Sequence, residues 1–212
     1  MKFSGKWKGL ADRLARAAKE EDKARRGVRI AAVLSDALAD IRVSPILVGG
    51  SAVAFYTDGR YATRDIDMIC PSGKDVEEIM ERLGFSRHGK DYVHERLKIY
   101  AEFPGESLGA TERIAVIDVD GSHLKIISLE DLIVDRLCAF KFWRSGIDGI
   151  NVLIMLELGI ADRGRIEERA REEDVLDALD YVEDVLEKST RRKLSPAQAS
   201  ELLQKYHRRR NG

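Results

Sequence analysis

Apolar residues recur at helical spacing through residues 5–40, first as Leu10, Leu14 and Ala17, then as Val28, Ala31, Ala32, Leu34 and Leu38. The pattern predicts two helices, with Gly27 as the break between them and Ser44-Pro45 as the stop. Ile46-Leu47-Val48 is a short continuous apolar run halted by Gly49-Gly50, the signature of a buried strand. Ser51 to Tyr56 reads as a short helix and Thr57-Asp58-Gly59-Arg60 as a turn. From Asp65 to Ile69 the period drops to two residues, predicting a strand closed by Pro71. Val76, Ile79, Met80 and Leu83 mark a helix over Lys74–Leu83, with Gly84 as its C-terminal stop. Phe85–Tyr92 and Leu97–Phe103 read as two antiparallel strands. Ile114–Val119 and Leu124–Ile127 flank Asp120-Gly121, a strong hairpin signal. Ser128 and Asp131 have capping-box spacing ahead of a helix over Leu129–Arg144, whose apolar stripe is Leu132, Leu137, Phe140 and Trp143. Gly149–Leu158 and Ile166–Glu187 are helical again, and Ser195-Pro196 opens a last short helix.

This order describes an α+β (α/β) chain, a mixed β-sheet flanked by helices and then a C-terminal helical half. It divides into a helical extension at 1–26, an α/β core at 27–128 and a helical region at 129–212. With 212 residues, 44% of them hydrophobic, the chain has material for a core of ordinary size. Its charges nearly cancel, 36 Lys+Arg against 37 Asp+Glu, which removes any global basic signal for nucleic acid. The basic ends, Lys2, Lys6, Lys8 and Arg208 to Arg210, give a weak hint of RNA, although a short terminal charge run is more often a solvated tail. Cys70 and Cys138 form no Cys-x-x-Cys and no zinc spacing, and are expected to be reduced, buried thiols. The charged start of the chain carries no apolar signal-peptide core, and no apolar run approaches the ~18 residues of a membrane span, so the expected location is cytoplasmic, with no membrane partner.

Three local features carry candidate chemistry. At Leu47-Val48-Gly49-Gly50-Ser51 a strand turns into a helix through two glycines, so the backbone can bend tightly and approach a ligand. Amide groups at a helix start, with a hydroxyl beside them, suit phosphate. No Gly-Lys-Ser/Thr follows, so this is not a Walker loop. In Arg64-Asp65-Ile66-Asp67-Met68-Ile69 the strand period puts Asp65 and Asp67 on one face. Two neighbouring carboxylates repel unless a cation compensates, and Mg²⁺ takes oxygen ligands while keeping room for phosphate oxygens. In Lys98-Ile99-Tyr100-Ala101-Glu102-Phe103 the alternation places Glu102 away from the core side. If this strand lies beside Asp65–Ile69, Glu102 joins the two aspartates.

As a set, Gly50-Ser51 at a helix start, Asp65-Ile66-Asp67 between hydrophobic residues, and an acid on a later strand resemble the nucleotidyltransferase superfamily. Thr63-Arg64-Asp65-Ile66-Asp67, together with Ser128 to Phe140 and on through Arg144 to Asp148, is similar to AbiEii-type toxins and related uncharacterised bacterial and archaeal transferases. The resemblance covers about residues 28–160. It departs at Arg136, where relatives often carry Lys, and at Asn151, where a second Asp is common. Asp118, between Ile117 and Val119, fits the third-acid pattern as Glu102 does; Glu102 is preferred because Asp118 adjoins a tight turn.

The resemblance implies a nucleotidyltransferase fold and Mg²⁺-dependent transfer of a nucleoside monophosphate from an NTP, ATP among the candidates, to a hydroxyl acceptor. It makes Asp65, Asp67 and Glu102 the catalytic metal ligands. It makes Gly49, Gly50, Ser51, Arg64, Arg136 and Asp148 nucleotide-binding, with Arg60 near the phosphates and Lys141 and Arg144 within reach of base or acceptor. The acceptor it implies is a tRNA end, a small hydroxylated compound or a protein hydroxyl. The toxin branch adds an antitoxin partner. The alternative is a catalytically inactive nucleotide-binding or protein-interaction module that keeps the fold, for which the departures at Arg136 and Asn151 leave room.

Overall fold

Asp22, and not Gly27, divides the first helical stretch. In the computed structural model, which describes residues 5–61 and 63–209, the chain forms α1 (Gly5–Ala17) and α2 (Lys23–Leu38). The Asp22 carboxylate caps α2 by accepting from the Arg25 amide at 2.8 Å. Gly27 lies inside α2, where a Cβ would come 3.8 Å from the Ser51 hydroxyl, so its small size serves close helix packing. The basic residues Lys2 and Arg210 and the chain start at Met1 lie outside the described residues.

The chain resolves into two compact units, Met1–Ser128 and Leu129–Gly212. The first holds β1 (Ile46–Leu47), α3 (Gly49–Tyr56), β2 (Asp65–Ile69), α4 (Lys74–Arg82), β3 (Ser86–His88), β4 (Asp91–His94), β5 (Ile99–Glu102), β6 (Ile114–Val119) and β7 (Ser122–Ile127). The seven strands form one mixed sheet in the order β3-β4-β5-β2-β1-β7-β6, with β1 parallel to β7 and β2 parallel to β5. Helix α2 packs against α1, α3 and β7, and its buried residues, Ile30, Ala31, Leu34 and Leu38 among them, cover most of its circumference. Helix α4 ends in a Schellman motif: Gly84, at φ +93°, donates to the Glu81 carbonyl and Phe85 to that of Met80.

The stretch Phe85–Tyr92, expected as one strand, is two. Gly89 takes φ +66° and turns the chain, so that β3 and β4 form a hairpin before β5. The Asp120-Gly121 hairpin forms as the sequence predicts, with φ values of +54° and +84° at its two turn residues.

The second unit contains α5 (Leu129–Phe142), α6 (Gly146–Glu157), α7 (Arg163–Glu172), α8 (Leu176–Arg192) and α9 (Pro196–Arg209). The single helix expected over Ile166–Glu187 is broken at Glu173–Val175, where Asp174 adopts φ +54°. Leu132, Leu137 and Phe140 are fully buried as expected, but Trp143 is 80% exposed. The reason is local: α5 stops at Phe142, and Trp143 belongs with Arg144, at φ +57°, to the turn that leads into α6. The helices α5 and α6 approach closely enough that a Cβ on Gly149 would lie 2.7 Å from the Phe140 ring.

Candidate active site

The site begins where β1 hands over to α3. Val48 is still extended, and Gly49 bends the chain at φ +58°. A Cβ on Gly49 would stand 2.4 Å from the Asp67 Oδ2 atom, so only glycine fits against the carboxylate. Three hydrogen bonds then fasten the start of α3 to β2. The Val48 amide donates to the Asp67 carbonyl at 2.9 Å, the Gly50 amide to Asp67 Oδ2 at 2.9 Å, and the Ser51 hydroxyl to the Asp65 carbonyl at 2.8 Å. The Asp67 carboxylate therefore sits on the positive end of a helix. Ser51, expected to offer its hydroxyl to phosphate, is 3% exposed and uses its proton on the β2 backbone.

Strand β2 alternates as its sequence dictates. Ile66 and Met68 are buried, Asp67 is half-buried and Asp65 is exposed. In the parallel pairing of β2 with β5, Asp65 faces Tyr100 and Asp67 faces Glu102. Directly opposed residues share a face of the sheet, so Glu102 is the immediate neighbour of Asp67. Asp118 is on β6, three strands from β2, a separation of ~14 Å at the usual strand spacing. Its carboxylate accepts from the Gly121 amide at 3.2 Å, within the hairpin.

Two residues that the sequence reading passed over also belong here. Strand β4 pairs with β5 so that Asp91 opposes Glu102, which sets Asp91, Glu102 and Asp67 in one row across three strands. The neighbouring Lys90 ammonium forms an ion pair with Glu102. That bond and the Glu102 charge raise the Lys90 pKa above its ordinary value, and Asp91 and Asp67 add weaker pulls in the same direction. Both residues follow the hairpin turn at Gly89, and a single strand over Phe85–Tyr92 would not give them this register. With Asp67 turned to Gly50 and Glu102 to Lys90, no group of three or more His, Cys, Asp or Glu side chains among the described residues converges on a metal-binding point. The donors that line the row are hard carboxylate oxygens, the chemistry that Mg²⁺ prefers.

Arg64 is exposed and, with Arg26, Gly27, Ser51, Thr63 and Asp65, borders a crevice of about 20 Å³. Arg60 is exposed in the preceding turn. The remaining expected residues lie in the second unit. Arg136 and Asp148 pair with each other at 3.1 Å, and Arg136 also binds Asp135. The Ser145 hydroxyl caps α6 by accepting from the Asp148 amide. Asn151 is buried, and its Oδ1 has no hydrogen-bond partner. Lys141, expected to reach a ligand, has a side chain only 3% exposed; its ammonium is held by Asp174 and by Asp177 at 2.8 Å. Arg144 is exposed in the turn before α6.

The family model described as a nucleotidyltransferase of unknown function (DUF6036) matches residues 29–158. The chain belongs to this nucleotidyltransferase family. The matched region contains the glycine turn, Asp65, Asp67, Lys90, Asp91 and Glu102, and extends through Arg136 and Asp148. Among solved structures, an antigenic nucleotidyltransferase-like protein from Paracoccidioides brasiliensis aligns with a TM-score of 0.52 and 16% identity, covering 91% of this chain and 92% of that one. At that identity the likeness is one of fold, and it agrees with the mixed sheet and helical half found here. No curated protein matches the sequence. Among the described residues no helix is long and apolar enough to cross a membrane.

Proposed function

We propose that this nucleotidyltransferase family member transfers a nucleoside monophosphate from an Mg²⁺-bound NTP to a hydroxyl acceptor at the Asp65/Asp67 face of β2. The observation that supports this most is the fastening of Asp67 to the Gly50 amide beside a glycine that admits no side chain. That contact keeps one carboxylate in place at the positive end of a helix. Asp65 and Asp67 would hold Mg²⁺, which supplies charge neutralisation at the phosphates. The positive end of α3 would draw the phosphates, and exposed Arg64 offers a planar fork for their oxygens. Glu102, which pairs with Lys90 here, would have to leave that partner to take the proton of the attacking hydroxyl. In-line displacement of pyrophosphate then depends mainly on positioning and electrostatics. The Arg136–Asp148 pair is assigned to nucleotide binding by family resemblance alone.

The finer assignments belong to the same proposal: ATP among the donors, a tRNA end as the first acceptor to try, cytoplasmic location, and the toxin half of a toxin–antitoxin pair. The test is label transfer from each α-labelled NTP to tRNA and to small hydroxylated compounds, with pyrophosphate release measured alongside. Transfer that requires Mg²⁺ and disappears in Asp67→Asn supports the reading. Transfer that survives Asp67→Asn refutes it. Growth arrest on expression, relieved by the same substitution, supports the toxin assignment. A second reading, nucleotide binding without turnover, is favoured by the Lys90–Glu102 pair, which occupies the third acid. Tight nucleotide binding with no pyrophosphate release distinguishes it.

A further inference from the structure

Lys90 is where it is because of the hairpin that the sequence conceals. The β3–β4 turn at Gly89 delivers it to the end of a row of three carboxylates, Asp91, Glu102 and Asp67, which the strand register holds side by side. Three acids at strand spacing on one face repel one another. Within the row, the Lys90 ammonium pairs with Glu102 and is attracted by both neighbours. Asp67 is engaged differently, by the Gly50 amide, which leaves Asp65 and Asp67 together on the β2 face. The row thus already holds one positive charge supplied by the chain, at the acid that the family resemblance assigns to a metal.

We propose that Lys90 is a tethered cation that takes the place of a second metal ion at Glu102, so that this site binds one divalent ion, on Asp65 and Asp67, rather than two. The inference rests on the metal–nucleotide reading of the site and refines it. Lys90 is a positioning residue in this account. It neutralises Glu102, keeps that carboxylate turned from the Asp65/Asp67 pair, and fixes metal stoichiometry by competition. An ammonium on a flexible stem suits the role, being a compact charge that moves without breaking the fold. Its side chain is 63% exposed, so its removal leaves the core intact.

The test is Mn²⁺ titration in the presence of a non-hydrolysable NTP analogue, with free Mn²⁺ read by electron paramagnetic resonance. The expected stoichiometry is one ion per chain for the wild type and two for Lys90→Met, returning to one in Lys90→Met/Glu102→Gln. Lys90→Arg, which keeps the charge, stays at one. Two ions in the wild type, with no change in Lys90→Met, overturn the proposal while leaving the metal–nucleotide reading intact. One ion in both proteins does the same. No Mn²⁺ bound by the wild type or by Lys90→Met removes the metal–nucleotide reading and this inference with it.

Discussion

Replacing Gly49 by alanine tests the contact on which the site is built. Two effects add. The first is the left-handed backbone, φ +58°, which costs a residue with a side chain roughly 1–2 kcal/mol. The second is the clash: the new methyl would lie 2.4 Å from Asp67 Oδ2, 2.8 Å from its Cγ and 2.9 Å from its Cβ. The carboxylate must move, and with it goes the hydrogen bond from the Gly50 amide, a bond to a charged group of about 1.5–3 kcal/mol. The sum is roughly 3–5 kcal/mol. Gly121→Ala provides the control. It has φ +84° and nothing within 4 Å of its added Cβ, so it reports the backbone cost alone. The difference between the two variants, about 1.5–3 kcal/mol, corresponds to a further fall in Tm of about 3–12 °C for a chain of this size. Urea and thermal unfolding of both variants, followed by circular dichroism, measure it. Equal losses in Gly49→Ala and Gly121→Ala would falsify the claim that Gly49 is pressed against Asp67.

Three further outcomes are expected elsewhere in the molecule. In the second unit Asp131 is 1% exposed and accepts from Arg169 at 2.9 Å, with the Arg165 guanidinium 3.6 Å away; Arg169→Met removes the nearer of these two cations and is expected to cost about 1.5–3 kcal/mol in chemical denaturation, the worth of a hydrogen bond to a charged group. Burial first, and then the Arg96 charge, holds the His94 imidazole below its ordinary pKa, so the native state favours neutral His94 while the unfolded chain titrates near 6.5. The unfolded state therefore binds more protons in the window below about 6.5, and stability is lost as pH falls through it. Urea midpoints measured against pH should show that slope in the wild type and a flatter one in His94→Phe. Cys70 is buried as expected, whereas Cys138 is only half-buried; burial pushes the Cys70 thiol up to about 12 and the Cys138 thiol up to about 11, so a disulfide reagent at pH 8 should label Cys70 only after denaturation and Cys138 slowly in the native state.

The readable parts of the sequence were those where a local signal and the tertiary structure agree. The strand Asp65–Ile69, the stop at Gly84 and the Asp120-Gly121 hairpin each follow from side-chain period or from a glycine with positive φ. The assignment of Gly27 as a helix break failed because a glycine inside a helix costs only about 1 kcal/mol, whereas the Asp22 cap and the packing around Ser51 favour the observed division. At Gly89 the opposite error occurred. The surrounding Arg87, His88, Lys90 and Asp91 lack the apolar alternation that would have marked two short strands, so the hairpin was hidden. Losing it concealed Asp91 and Lys90, since register across strands is a property of the sheet and not of any one segment. The choice of Glu102 over Asp118 as the neighbour of Asp67 likewise depended on strand order, which the sequence leaves open. Lys141 resembles a ligand-facing cation in sequence because its acidic partners, Asp174 in the α7–α8 turn and Asp177 at the start of α8, lie more than thirty residues away.

The most direct test of the account is calorimetric titration of ATP, GTP, CTP and UTP, each with and without Mg²⁺, into the wild type and into Asp65→Asn/Asp67→Asn. The account predicts binding of at least one nucleotide that requires Mg²⁺ and is lost in the double variant while its far-UV spectrum is unchanged. Nucleotide binding of equal strength in the double variant, or without Mg²⁺, would contradict it.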